Sequence, residues 1–156
     1  MLNRVNLAVV YDPSKDEMFF AEKGAGAWLN DTQRLRVSAR KRLAEAVFAS
    51  GLPPDGGKYL PAILRDLGKL MPMCSGMRRN GAAALDLCWV AAGRFEGYWE
   101  YNLKPWDIAA GILSAREAGA FVEPLREDQD LLADGHLIAG AEPIFDQFAK
   151  VIRSRD

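Results

Sequence analysis

The chain is poor in the side chains that most often announce catalysis or metal binding, with one histidine and two cysteines among 156 residues. Two cysteines are too few for a disulfide scaffold, and Cys74 and Cys88 are too far apart in the chain to form the Cys-x-x-Cys unit of a zinc site. A reducing compartment is the expectation. The single histidine, His136, lies between Gly135 and Leu137. That excludes a histidine-rich metal site, and any Ser-His-Asp or Cys-His scheme would have to pass through this one ring. Its setting reads as a loop or strand entry. There is also no excess of one charge: 20 Lys and Arg stand against 21 Asp and Glu, a formal net charge of -1. No broad field therefore draws the chain toward DNA, RNA or anionic lipid. No apolar stretch reaches the ~20 residues of a membrane helix, and Met1-Leu2-Asn3-Arg4 lacks the basic-then-apolar order of a signal peptide. The expectation is a cytoplasmic protein with neither a nucleic-acid nor a membrane partner.

What is present is the composition of a globular domain, with 49% hydrophobic, 10% aromatic and 26% charged residues. A chain of this length buries roughly two-thirds of the surface its unfolded form exposes. Val5 to Tyr11 and Met18 to Ala21 are β-rich runs separated by the turn-forming Asp12-Pro13-Ser14-Lys15-Asp16, which predicts a hairpin. Ala27-Trp28-Leu29 and Leu35-Arg36-Val37 add two short strands. After Ser38 the pattern changes. Ala46 to Ser50 predicts a buried strand, followed by a loop from Gly51 to Gly57. The apolar residues Leu60, Ile63, Leu64, Leu67 and Leu70 then fall on one helical face that ends before Pro72.

Met73 to Arg78 reads as a strand, Ala82 to Ala92 as a helix stopped by Gly93, and Phe95 to Glu100 as an alternating strand. Pro105 sits at a first helical turn that continues to Ala118. Phe121-Val122 and Leu137-Ile138-Ala139 are two further short strands, and a last helix runs from about Pro143 to Arg153. Alternation of this kind predicts a layered α/β unit over 39–156, with strands covered on both faces. Residues 1–38 read as the terminal hairpins of an antiparallel sheet that is incomplete, so the class overall is α+β, and the chain is expected to start in the middle of that sheet.

The residues with most chemical interest run from Tyr98 to Asp107. Glu100 at a strand end and Asp107 in the first turn of the next helix occupy the place where α/β proteins put ligands. Asp107 there gains from the helix dipole and suits magnesium, and it equally suits a plain helix cap. Arg78-Arg79-Asn80-Gly81-Ala82-Ala83-Ala84 forms a second feature, in which small residues open a helix straight after a strand and leave backbone amides accessible. The same small residues also serve tight packing. Asp86, inside an apolar helix, is expected to pair with Arg78 or Arg79.

At these residues the chain resembles the C-terminal part of the inositol monophosphatase family, the magnesium-dependent, lithium-sensitive sugar-phosphate phosphatases. The resemblance rests on Arg78 to Asp86 and on Trp99-Glu100 followed by Lys104-Pro105-Trp106-Asp107-Ile108-Ala109-Ala110-Gly111. It extends to Val9-Val10-Tyr11-Asp12-Pro13, to Ala21 through Ala27, and to Leu29-Asn30. It implies a sugar-phosphatase α/β sandwich, a magnesium ligand at Asp107, a substrate-hydroxyl contact at Glu100, and a polyol site lined by Gly81, Ala82 and Ala83. Relatives commonly carry Ser or Thr at position 82, so Ala82 lacks a hydroxyl beside the metal-bound water.

The family's upstream glutamate and its Asp-Pro-x-Asp-Gly-Thr loop are not found. Asp12-Pro13-Ser14-Lys15-Asp16 has the wrong spacing, and Pro54-Asp55-Gly56 is a loop signal. Magnesium takes about six oxygens, and a two-metal site needs several carboxylates, so Asp107 alone does not build one. The expectation is the substrate-binding part of a phosphatase acting on inositol monophosphate or a similar polyol phosphate, with no complete catalytic set and no activity of its own. Histidinol phosphate and nucleotide phosphates remain open as substrates. A catalytically inactive polyol-binding or oligomerisation module is the alternative, and the bare strand edge from Val5 to Tyr11 points to self-association, most simply a homodimer.

Overall fold

The computed structural model describes residues 5–52 and 57–154, so Met1 to Arg4 and the loop signal Pro54-Asp55-Gly56 lie outside the described residues. The first hairpins form an antiparallel sheet of β1 (Leu7–Asp12), β2 (Glu17–Glu22), β3 (Gly26–Leu29) and β4 (Gln33–Arg34), paired in that order. The turn between β1 and β2 forms because the buried Asp12 carboxylate accepts the Ser14 N–H at 2.9 Å, the Ser14 hydroxyl at 2.6 Å and the Lys15 ammonium at 3.0 Å. Those donors, Ser14 foremost, hold the Asp12 carboxyl down to about 2.

A second sheet follows from β5 (Val47–Ser50), β6 (Gly76–Arg78), β7 (Gly97–Glu100), β8 (Ala120–Pro124) and β9 (Leu137–Ala141), in the order β6-β5-β7-β9-β8. Strand β5 runs parallel to both β6 and β7, whereas β9 is antiparallel to β7 and β8. The helices are α1 (Leu60–Leu70), α2 (Ala83–Ala91), α3 (Pro105–Glu117) and α4 (Phe145–Arg153). Among the described residues no helix is long and apolar enough to cross a membrane.

Three apolar clusters stack these elements into four layers. Phe19, Ala21, Ala27 and Leu29 of the first sheet pack on Cys88, Trp89 and Leu113 of α2 and α3. The opposite sides of the same helices, through Leu87, Val90, Ile108 and Ile112, meet Tyr98, Val122 and Ala139 of the second sheet. Phe48, Trp99 and Ile138 on that sheet's far face meet Leu70 of α1 and Phe145, Phe148 and Ile152 of α4. Burial on two sides explains why α2 and α3 are apolar nearly all round, while α1 and α4 carry one apolar stripe. The Glu117 carboxylate at the end of α3 ties the layers together by accepting the N–H groups of Gly24 at 2.9 Å and Gly26 at 3.0 Å in the β2–β3 turn.

The layered α/β sandwich matches the expectation, and two local readings change. Leu35-Arg36-Val37 is not a strand: β4 ends at Arg34, and Leu35 instead turns inward to 1% exposure against the helices. Strand β6 covers Gly76–Arg78 only: α1 ends at Leu70, before Pro72 as expected, and a separate short 3-10 turn at Met71–Met73 takes up the first residue expected of the strand. Proline at the start of a new turn costs little, since its missing N–H has no partner to lose there.

Gly111 lets α2 and α3 approach this closely. A Cβ there would stand 2.7 Å from the Leu87 Cβ and 3.2 Å from the Ala84 carbonyl oxygen. Gly111→Ala is therefore expected to destabilise the fold by about 1–3 kcal/mol, measured as a lower urea midpoint at unchanged slope.

Candidate functional site

The three mutually parallel strands bring their carboxyl ends to one edge of the second sheet. Strand β5 ends at Ser50 and is followed by Gly51, β6 ends at Arg78 and leads to Arg79, and β7 ends at Glu100. The heads of α2 and α3 start from the same edge, so Gly81, Ala82 and Ala83 follow β6, and Asp107 follows β7. Such an edge is where open α/β sheets bind ligands.

Glu100 is half-buried, and two neighbours fix its carboxylate. The Tyr98 hydroxyl, on the same face of β7 two residues earlier, donates to Glu100 Oε2. On another side lies the bare Cα of Gly51, where a Cβ would overlap the carboxyl carbon and both oxygens. Only glycine fits at position 51 while Glu100 keeps this rotamer. Burial raises the Glu100 carboxyl above the ordinary glutamate value; Asp86 and Asp107 push in the same direction, while the Tyr98 hydroxyl and Arg79 oppose it. The Tyr98 phenol is raised well above its usual range, first by burial and then by the charges of Glu100, Asp86 and Asp107. Three carboxylates thus converge on one buried phenol, with Arg79 as the cation nearest in effect.

Asp107 is exposed at the head of α3. Its Oδ2 accepts the Lys104 N–H at 3.1 Å, and its own N–H donates to the Lys104 carbonyl at 2.9 Å. It therefore does cap its helix, and among the described residues no guanidinium ties it up. The cap engages one carboxylate oxygen, so the second remains open to a ligand. The neighbouring Trp106 is 80% exposed and contributes nothing to the core.

Asp86 departs from the expected pairing. Its Oδ1 accepts from the Asn80 side-chain amide at 2.7 Å, not from Arg78 or Arg79, and its buried Oδ2 has no partner among the described residues. The Asn80 amide thus bridges the turn that carries Gly81 and Ala82 to the first turns of α2. Gly51 lies outside the stretches that the sequence picks out for their chemistry, whereas Tyr98 and Asn80 fall within them with no role of their own. The signal for Tyr98 was its position two residues before Glu100 on a strand, and for Gly51 a glycine directly after a buried strand.

The pattern that defines the inositol monophosphatase family matches residues 3–155. The chain belongs to the inositol monophosphatase family. It is 45% identical over 145 residues to the inositol-1-monophosphatase of Mesorhizobium japonicum, covering 93% of this chain and 54% of that protein. It is 43% identical over 150 residues to the Nus factor SuhB of Pasteurella multocida, covering 96% of this chain and 56% of the relative. The crystal structure of the extragenic suppressor protein suhB from Bartonella henselae aligns with a TM-score of 0.90 at 44% identity, over 97% of this chain and 58% of that one. The chain thus spans about half the length of the curated relatives it matches.

The buried Asp86 gives this region a pH signature. Burial raises its carboxyl from 3.8 to about 6, with the Asn80 hydrogen bond opposing. The folded state then binds the proton more tightly than the unfolded chain. The Asp86 contribution is fully present below the unfolded value of 3.8 and is lost as pH rises toward about 6. Asp86→Asn is expected to remove this slope, leaving the wild type to lose on the order of 2 kcal/mol more than the variant across that window, as read from urea unfolding at a series of pH values.

Proposed function

We propose that the complete protein is a magnesium-dependent phosphoric monoester hydrolase acting on inositol monophosphate or a similar small polyol phosphate, and that this chain supplies its polyol-contacting part. The observation that supports this reading is the half-buried Glu100 carboxylate, locked by Tyr98 and Gly51 at an edge shared with Gly81, Ala82, Ala83 and Asp107. A fixed carboxylate accepts hydrogen bonds from ring hydroxyls without paying to order itself first. Gly81, Ala82 and Ala83 present backbone with little side chain, which lets a polyol come close. The metal does not fit these residues alone. Among the described residues no group of three or more His, Cys, Asp or Glu is placed to hold a metal ion. Asp107 offers one ligand of the several that magnesium needs. The magnesium dependence, and with it lithium inhibition, is assigned to the complete protein, with the other ligands supplied by the rest of it.

A second reading is assembly. Strand β1 is a sheet edge, and Leu7, Val9 and Tyr11 along it are 62%, 57% and 50% exposed, as an apolar row beside unpaired backbone groups. A homodimer formed through this row would serve either a phosphatase or a catalytically inactive module. Sedimentation decides it: a monomer in dilute buffer counts against assembly.

With inositol 1-phosphate and magnesium, the 156-residue chain is expected to release phosphate no faster than its Asp107→Ala variant. Calorimetric titration with inositol 1-phosphate is expected to show binding that Glu100→Ala weakens by about tenfold or more, the value of a lost hydrogen bond to a charged group. Failure of the chain to bind any polyol phosphate would overturn the assignment of Glu100, and magnesium-dependent turnover lost in Asp107→Ala would overturn the claim that the chain lacks a catalytic set.

A further inference from the structure

A cleft of about 710 Å³ opens on the other side of the second sheet, between α1, α4 and the segment 125–129. Its volume is in the range of small-molecule sites, roughly 300–1,000 Å³. His136 forms part of its floor and is 8% exposed. The ring stands edge-on to Tyr59 at 4.9 Å and tilted against Tyr101 at 5.7 Å, so packing fixes its orientation. Nδ1 accepts the Asn102 N–H at 2.9 Å. Burial lowers the imidazole below its ordinary pKa, as do Lys58 and Arg126, while Asp134 acts the other way. A neutral ring that accepts at Nδ1 carries its proton on Nε2. That N–H has no hydrogen-bond partner among the described residues.

The cations around the cleft divide into two kinds. Arg65 is committed to the buried Asp66 at 2.8 Å, and Arg153 to Glu123 at 2.7 Å. The Tyr101 hydroxyl is also spent on Asp66, at 2.6 Å. Lys58 and Arg126 form no ion pair among the described residues, and the Lys58 ammonium lies 5.4 Å from the Tyr59 ring centre. Glu127 and Asp128 share the rim with Arg126, so the cleft has no broad positive field. Its uncommitted groups, Lys58 and Arg126 on the rim and His136 on the floor, are nonetheless donors that line one cleft.

We propose that this cleft binds a small oxyanion, a phosphate group either free or on a small metabolite, through His136, Lys58 and Arg126. Two charge-assisted contacts and one neutral N–H match the acceptor oxygens of such a group. The bound anion would reach the strand-end edge through the backbone. Asn102 and Leu103 lie between Glu100 and Asp107, and while Asn102 bonds to His136, the Leu103 N–H donates to the Gly135 carbonyl at 2.9 Å. An anion drawing on Nε2–H makes Nδ1 a better acceptor and tightens the Asn102 bond. The occupied cleft therefore stiffens the segment that joins the two carboxylates. This inference does not depend on the phosphatase reading.

The protein's single histidine makes the test direct, because long-range proton–nitrogen spectra of histidine-labelled protein report His136 alone. Titration with inorganic phosphate, and in parallel with inositol 1-phosphate, is run at constant pH and ionic strength. Either anion is expected to shift the Nε2 signal saturably and to move the Asn102 amide with it. The Lys58→Ala/Arg126→Ala double variant is expected to weaken the apparent affinity by about tenfold or more at an unchanged unfolding midpoint. Saturation by the ester alone would assign the cleft to phosphorylated metabolites, and saturation by both would assign it to phosphate itself. A shift that never saturates, or one with the same midpoint in the double variant, overturns the proposal.

Discussion

The close contact between α2 and α3 is the constraint on which the rest of the structure depends. These two helices form a single layer buried by a sheet on each side, through Leu87 and Ile112 toward one and Cys88 and Leu113 toward the other. Gly111 sets their separation by leaving no Cβ between them. If the layer were thicker, neither sheet would close on it, and the two helix heads that carry Gly81, Ala82, Ala83 and Asp107 would part.

The electrostatics of the strand-end edge follow from that layering. Tyr98 points from β7 into the core beneath α2, and its buried hydroxyl receives the influence of Asp86, Glu100 and Asp107 together. Burial, with the like charges of Asp86 and Asp107 behind it, raises the cost of ionising Glu100. Each carboxylate has a local donor: Asn80 donates to Asp86, Tyr98 to Glu100, and the Lys104 N–H to Asp107. The arrangement leaves acceptor capacity directed outward, where a cation or a hydroxyl can use it.

The chain belongs to the inositol monophosphatase family and matches about half the length of its relatives. Relatives named inositol-1-monophosphatase and Nus factor SuhB are about twice as long as the matched region. The proposed polyol contact uses a helix-head carboxylate, a clamped glutamate and a small-residue turn.

Sequence by itself determined the elements and their class, because apolar periodicity and turn residues are local signals. The β1–β2 hairpin, the stripe on α1 and the Pro105 start of α3 all emerge from spacing, and Glu100, Asp107 and Gly81 through Ala83 were legible from a motif. What it could not decide were matters of distance between remote segments. Leu35 reads as a strand residue and becomes core, because helices unseen by the local pattern cover it. Asp86 reads as an arginine's partner and takes Asn80 instead, because the turn geometry decides which side chain reaches it. The clamp of Gly51 on Glu100 joins β5 to β7, and the His136 cleft joins α1, α4 and the approach to β9. Contacts of this kind arise only when the sheet sets its strand order, since packing, not chain neighbourhood, brings such residues within a few ångströms of each other.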